Sequence, residues 1–167
     1  KTKPSLSGFR FPLIVKPTDR SGSRGVTKIF AAEELGPAMK RAKEESFNNE
    51  AIIEEFISGR EISVESISWQ GQHYIIAITD KITTGEPYFV ELQHHQPADL
   101  NAKMRDNVKT QTIKALDVLG VVVGAGHSEF KITEEGEIYA IEIGARMGGD
   151  FIGSDLVRLS TGYDFLK

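Results

Sequence analysis

Glu129 and Glu142 stand in two runs, His127–Ile132 and Glu137–Arg146, that read as the strands of a hairpin. A turn centred on Glu135-Gly136 pairs Glu134 with Glu137 and, counted outward, Glu129 with Glu142. Directly opposed Cβ atoms lie about 5 Å apart, where two like charges repel. Glu142 is also expected to share its strand face with Ile138 and Ala140, where an apolar side chain belongs. A divalent cation would justify the pair, because hard Mg²⁺ takes carboxylate oxygens and brings a substrate phosphate with it. Arg146 follows on the same face if the strand stays extended, placed to hold phosphate oxygens bidentately. A solvated acidic edge with a structural salt bridge to Arg146 is the plainer alternative. It accounts less well for two carboxylates that interrupt apolar runs.

The rest of the chain must position that hairpin. Phe11–Lys16 reads as a short buried strand ended by Pro17, followed by the loop Thr18–Gly25 and a second strand, Val26–Phe30. A glycine-serine loop between antiparallel strands can fold backbone N–H groups over an anion, with serine hydroxyls as further donors. It lacks the Gly-Lys-Ser/Thr ending of a Walker loop. Taken alone, such loops mostly just turn the chain, and a lysine like Lys16 at a strand end mostly snorkels. Ala32–Ser46 is helical, with Leu35, Ala38, Met39, Ala42 and Ser46 on one face. Ala51–Ile57 is a strand running into Ser58-Gly59-Arg60, and Glu61–Trp69 alternates as the next. Gln70-Gly71 turns the chain into His73–Lys81, and Thr83–Glu86 is a loop leading to Tyr88–Leu92. Pro97-Ala98-Asp99 initiates a long helix whose Leu100, Met104, Val108, Thr112, Ala115, Leu116 and Leu119 form a core stripe. Asp155–Lys167 reads as an amphipathic helix and a turn at Gly162-Tyr163.

A chain of 167 residues can bury a real core, as one domain or as two small lobes sharing a cleft. Its formal charge of −4, with no lysine- or arginine-rich stripe, argues against nucleic acid as a partner. Without cysteine there is no disulfide framework, thiolate metal site or cysteine nucleophile. Nothing reads as a membrane span or signal peptide, so a cytoplasmic location is expected. Both ends look cut, which suggests a fragment of a longer protein.

Lys16 with its glycine-serine loop, Glu54-Glu55-Phe56-Ile57, Glu61, and the Glu129/Glu142/Arg146 hairpin occur in the order and rough spacing of the ATP-grasp superfamily. The resemblance covers nearly all of the chain. The segment IEIGARMGGDFIGSDL resembles carboxylate–amine ligases of the L-amino-acid ligase type, with biotin carboxylase and carbamoyl-phosphate synthetase as more distant relatives. It implies an α+β ATP-grasp fold whose two α+β lobes, roughly residues 9–57 and 58–167, hold nucleotide between them. By the same resemblance Lys16 contacts the α/β phosphates, and Ser21, Gly22, Ser23 and Gly25 close over them. Glu54 accepts from the adenine amino group, backbone groups of Glu55 and Ile57 read the rest of the adenine edge, and Glu61 binds the ribose. Glu129 and Glu142 hold the metal, Mg²⁺ with Mn²⁺ as an alternative, and Arg146 the γ-phosphate.

The implied activity is ATP-dependent joining of a small-molecule carboxylate to an amine through an acyl phosphate. The alternatives are a biotin- or bicarbonate-dependent carboxylase, a carbamoyl-phosphate synthetase-like domain, and a non-catalytic ATP-binding module. Where the family often carries an Asn two residues after the second metal glutamate, this chain has Gly144. A preceding domain of the same protein, with a further phosphate-binding lysine, is expected as a partner. A homodimer is one assembly the resemblance allows. On the substrate side, His127, Lys81, His94 and His95 are candidates that a structural or solvated role explains equally well. Gly148 and Gly149 offer N–H groups for a tetrahedral oxyanion, and Asp150 a partner for an ammonium.

Overall fold

Residues 6–86, 89–165 and 167 are described by the computed structural model. Packing divides the chain into two units, Lys1–Phe56 with Thr83–Glu91, and Ile57–Ile82 with Leu92–Lys167. A single boundary near residue 57 does not anticipate the return of Thr83–Glu91 to the first unit. Lys28 pairs with Glu86 there, Ser23 Oγ donates to the Phe89 carbonyl at 3.2 Å, and the Phe56 and Phe89 rings lie 6.3 Å apart.

In the first unit β1 (Leu13–Pro17), β2 (Thr27–Ile29) and β3 (Ala51–Glu55) make an antiparallel sheet in the order β2-β1-β3. Alternation along β1 sends Leu13 and Val15 to one face, against Leu35, Ala38 and Ala42 of α1 (Leu35–Glu45). Both side chains are fully buried, each contributing about 2 kcal/mol. By register Ile14, Lys16, Lys28, Ile52 and Glu54 share the opposite face. The helix expected from Ala32 opens instead as a 3-10 turn, Ala32–Glu34, and stops at Glu45 because Ser46 turns extended.

In the second unit β4 (Arg60–Trp69), β5 (Gln72–Thr83), β6 (Glu91–His95), β7 (Gly124–Ile132) and β8 (Ile138–Gly144) are ordered β6-β5-β4-β7-β8. Of the expected segment Tyr88–Leu92, Tyr88 lies outside the described residues. Ile62, Val64, Ile78, Phe130 and Ile132 form one face of this sheet and pack with Val108 of α2 (Ala102–Val118). That helix begins later than Pro97-Ala98-Asp99 suggests. The Asn101 side chain accepts from Met104 N at 2.9 Å, a cap worth about 1 kcal/mol, and Leu100 joins the core from the preceding turn. Near the end, a π-helical turn (Ile152–Leu156) leads into α3 (Val157–Thr161), which Gly162 closes at φ 77°. The expected helix from Asp155 onward is therefore shorter and starts earlier.

The β7–β8 register corrects the expected turn. Thr133, not Glu134, faces Glu137: Thr133 N donates to the Glu137 carbonyl at 2.9 Å, leaving a three-residue loop with Gly136 at φ 82°. Phe130 accordingly faces Ala140, which would set Glu129 opposite Ile141. A bulge intervenes with Ile141 as its extra residue, and Glu129 pairs with Glu142 after all. The bulge also switches faces. Glu142 lies with Tyr139 and Gly144 rather than with Ile138 and Ala140, while Ile138 and Ile143 pack on the core. Glu142 does not interrupt the apolar face.

Candidate functional site

The face of the five-stranded sheet opposite its core is polar because three strands alternate in phase. Register places Glu61 beside Lys81 and Lys131, Ser63 beside Thr79 and Glu129, and Glu65 beside Ala77 and His127. Lys81 Nζ is 2.8 Å from Glu129 Oε1 and 3.3 Å from Glu61 Oε1, and Lys131 Nζ is 3.8 Å from Glu61 Oε2. His127 is clasped between two carboxylates. Its Nδ1 meets Glu65 Oε1, and its Nε2 lies 3.1 Å from Glu129 Oε1.

Burial opposes charge on His127, yet hydrogen bonds to and attraction by Glu129 and Glu65 outweigh it and raise its pKa to about 9. Burial likewise works against an ionised Glu129, but His127 and Lys81 overcome it and lower that pKa to about 2. Glu129 is therefore an anion held ready by two cations.

Glu142 stands across the ladder from Glu129 and is half exposed, with Arg146 Nη2 3.9 Å from its Oε1. Arg146 Nη1 also donates to the Met147 carbonyl at 2.8 Å, so its guanidinium is directed back along this strand end. Two facing carboxylates suit a cation that takes one or two protein carboxylates and completes its shell with phosphate and water. Lys81 and His127 both meet Glu129 at Oε1. Ser63 Oγ, directly opposite Glu129, is buried with no hydrogen-bond partner among the described residues. Among those residues no group of three or more His, Asp or Glu side chains could hold a metal. The residues fit a metal that arrives with its phosphate, not a self-sufficient metal cage.

In the first unit, Lys16 Nζ lies 2.7 Å from Glu54 Oε2, on the sheet face away from α1. Sequence expectation gave these residues separate roles; the fold makes them neighbours. Phe56 N donates to the Pro12 carbonyl, so in this antiparallel pair Glu55 turns its own backbone N–H and C=O to the outer edge of β3. That is the disposition needed to read a ligand edge through the main chain. The Glu55 side chain meets Arg10 N at 3.0 Å, and Ile57 is half-buried just beyond the strand.

The loop from Thr18 to Gly25 joins β1 to β2 as expected. Gly22, Ser23 and Gly25 all carry positive φ, a conformation that glycine adopts without steric cost. At Gly25 a Cβ would meet Pro17 and Glu45 side-chain atoms at 2.9 Å. Within the loop the Ser21 carbonyl accepts from Arg24 Nε at 3.2 Å, and Arg20 Nη2, 3.4 Å from Glu45 Oε2, ties the loop to α1.

Glu65 is the site residue that sequence reading missed. It is fully buried, and its second oxygen accepts from Gly148 N at 2.9 Å. A signal was present: Glu61, Ser63 and Glu65 alternate with Ile62 and Val64 along one strand. Gly148 donates to Glu65, which removes one of the two glycine amides expected to face an oxyanion. His94 and His95 lie on β6, an edge strand that β5 and β4 separate from the strand carrying Glu129. Ser68, His73 and Asp117 also form a hydrogen-bonded chain, at 2.7 and 3.2 Å. Ser68 is only 2 % exposed, so this chain ties the β4–β5 hairpin to α2 and presents no nucleophile.

Residues 9–155 match the family model described as the ATP-grasp domain. The chain is 32 % identical over 154 residues to a D-alanine–D-alanine ligase of Christiangramia forsetii, covering 88 % of this chain and 46 % of that protein. It is 31 % identical over 167 residues to the alanine–anticapsin ligase of Bacillus subtilis, covering 87 % and 35 %. Its fold is similar to the crystal structure of the L-amino acid ligase from Bacillus licheniformis, with a TM-score of 0.82 at 30 % identity over 96 % of this chain and 38 % of that one. The chain thus spans less than half the length of these relatives.

Proposed function

The chain belongs to the ATP-grasp domain family, and on that premise we propose that it serves an ATP- and Mg²⁺-dependent ligase that joins a small carboxylate to an amine. The observation that carries this reading is the cross-strand pair Glu129–Glu142 with Arg146 at 3.9 Å from Glu142. A pure nucleotide binder has little need of an arginine beside its metal carboxylates, whereas γ-phosphoryl transfer needs charge neutralised there.

In this reading the nucleotide phosphates and most of the adenine edge are read by residues of the first unit. Lys16 takes the α/β phosphates, Ser21–Gly25 cover them, Glu54 accepts from the adenine amino group, and the main chain at Glu55 and Ile57 reads the adenine edge. Glu61 binds the ribose hydroxyls. Glu129 and Glu142 hold the cation, whose chemistry is to neutralise the phosphates and orient them for in-line attack. Arg146 holds the γ-phosphoryl oxygens as charge shifts toward the leaving ADP. A carboxylate oxygen of the first substrate attacks the γ-phosphorus, and the bond to ADP breaks. An amine then adds to the acyl phosphate carbonyl, inorganic phosphate leaves, and the amine proton is lost as the amide forms. No side-chain nucleophile is required.

The test is ADP release by the full-length protein with Mg²⁺ and amino acids offered singly and in pairs. Release that depends on a carboxylate–amine pair supports the ligase. Bicarbonate-dependent release would favour a carboxylase, and nucleotide binding with no release under any of these conditions would favour a binding module.

A further inference from the structure

Resting on the ligase reading, we infer that Glu65 is a positioning residue, which locks the strand carrying Glu129 and the loop carrying Arg146 into one geometry. Glu65 is a carboxylate with no exposed surface, on the central strand β4, and it is not assigned to substrate, nucleotide or metal. A buried carboxylate costs several kcal/mol unless it is paired and hydrogen-bonded, as this one is from two sides. Oε1 meets His127 Nδ1 on β7, and Oε2 accepts from Gly148 N at 2.9 Å. The other nitrogen of His127 reaches Glu129, so one carboxylate fixes the imidazole that fixes a proposed metal ligand. Gly148 lies two residues beyond Arg146. Its main chain approaches so closely that a Cβ there would sit 2.7 Å from Glu65 Oε1 and 3.0 Å from His127 Nδ1. The glycine is thus needed for contact with Glu65, and Asp150 and Phe151 follow at φ 47° and 61°. Such consecutive left-handed residues persist only where surrounding contacts over-determine them. The Glu65–Gly148 bond is one such contact, and it acts on the loop from below the site.

Displacing a catalytic group by about 1 Å can cost about a hundredfold in rate. In the full-length protein, Glu65→Ala should therefore lower kcat for ADP release about a hundredfold, while ADP affinity measured without Mg²⁺ stays within about threefold because no nucleotide contact is removed. Glu65→Gln keeps an oxygen for Gly148 N–H and an NH₂ group that donates to Nδ1 of a neutral His127, whose Nε2–H still reaches Glu129, so it should restore most of the lost rate. Gly148→Ala retains both side chains but sets a Cβ against Glu65 and His127, so it should reproduce the kcat loss, which covers the case in which Glu65→Ala fails to fold. Amide hydrogen exchange supplies a readout besides activity: Glu65→Ala should speed exchange across residues 146–151 while α2 stays protected.

Wild-type turnover in Gly148→Ala, or unchanged exchange over 146–151 in a folded Glu65→Ala, would overturn the inference. So would a loss of Mg²⁺-free ADP binding and of melting temperature in step with kcat, which marks a merely structural role. If the wild type releases no ADP with any substrate, the ligase reading fails. Accelerated exchange would then still support the anchor, and unchanged exchange would still overturn it.

Discussion

Lys81 Nζ lies 2.8 Å from Glu129 Oε1, so the proposed metal ligand already carries a cation on one oxygen. The lysine side chain is 2 % exposed and also reaches Glu61. Removing one partner of a buried ion pair leaves the other charge uncompensated. Lys81→Met should lower unfolding free energy by about 3 kcal/mol, read from urea midpoints without added metal. Mg²⁺ with nucleotide should return part of that loss. A midpoint unchanged from wild type would mean that Glu61 and Glu129 do not depend on the lysine.

Arg146 sits beside Glu142 and is assigned to the γ-phosphoryl group, which ADP lacks. Arg146→Ala should leave ADP affinity nearly unchanged and reduce ATP turnover by about two to three orders of magnitude, the scale lost with one preorganised charge-stabilising donor. Calorimetry with ADP and a coupled assay with ATP separate the two effects. Wild-type turnover in this variant removes the arginine from the catalytic machinery.

Glu142→Gln behaves differently. Losing a metal carboxylate should weaken Mg²⁺-dependent binding of both ADP and ATP by at least the tenfold or so that even outer-shell partners cost. The measurement is nucleotide affinity titrated against Mg²⁺. Equal Mg²⁺ dependence in variant and wild type would assign the metal elsewhere.

Gly59 precedes β4 at φ 155°, and a Cβ there would lie 2.4 Å from the Ile132 carbonyl oxygen. Gly59→Ala should cost more than about 1 kcal/mol, since both the backbone conformation and the space are unsuited to a side chain. Thermal unfolding checks it, with Gly36→Ala as the control because nothing lies within 4 Å there. Equal melting temperatures for the two variants would show that the strand start can relax away from Ile132.

Much of this was legible because it is local. Period-two alternation marked β4, a short apolar run marked β1, and the apolar stripe marked α2, since each depends on neighbouring side chains in sequence. The Glu129–Glu142 pair was legible only in outcome. A turn misplaced by one residue and an unforeseen bulge at Ile141 cancelled in the pairing, although not in the face assigned to Glu142. A bulge leaves little trace in composition, because its energy comes from cross-strand packing. Glu65 was written plainly in the Glu61-Ser63-Glu65 alternation, but its partner Gly148 is 83 residues away and only the fold joins them. The return of Thr83–Glu91 to the first unit rests on Lys28–Glu86 and Phe56–Phe89, contacts with no periodicity to betray them.

That return changes how the protein can be cut. The chain passes from one unit to the other at residues 56/57, 82/83 and 91/92, so the units are interleaved in sequence and not strung in tandem. Truncation at residue 57 leaves the smaller unit incomplete and the larger one carrying a piece of it. Residues 1–56 would leave the Phe56 ring and Lys28 without the segment they grip, and residues 57–167 would carry Phe89 and Glu86 as an orphaned tongue. A gene fragment encoding the smaller unit has to graft residues 83–91 back through a linker. Domain exchange between relatives has to move two separate stretches of sequence together.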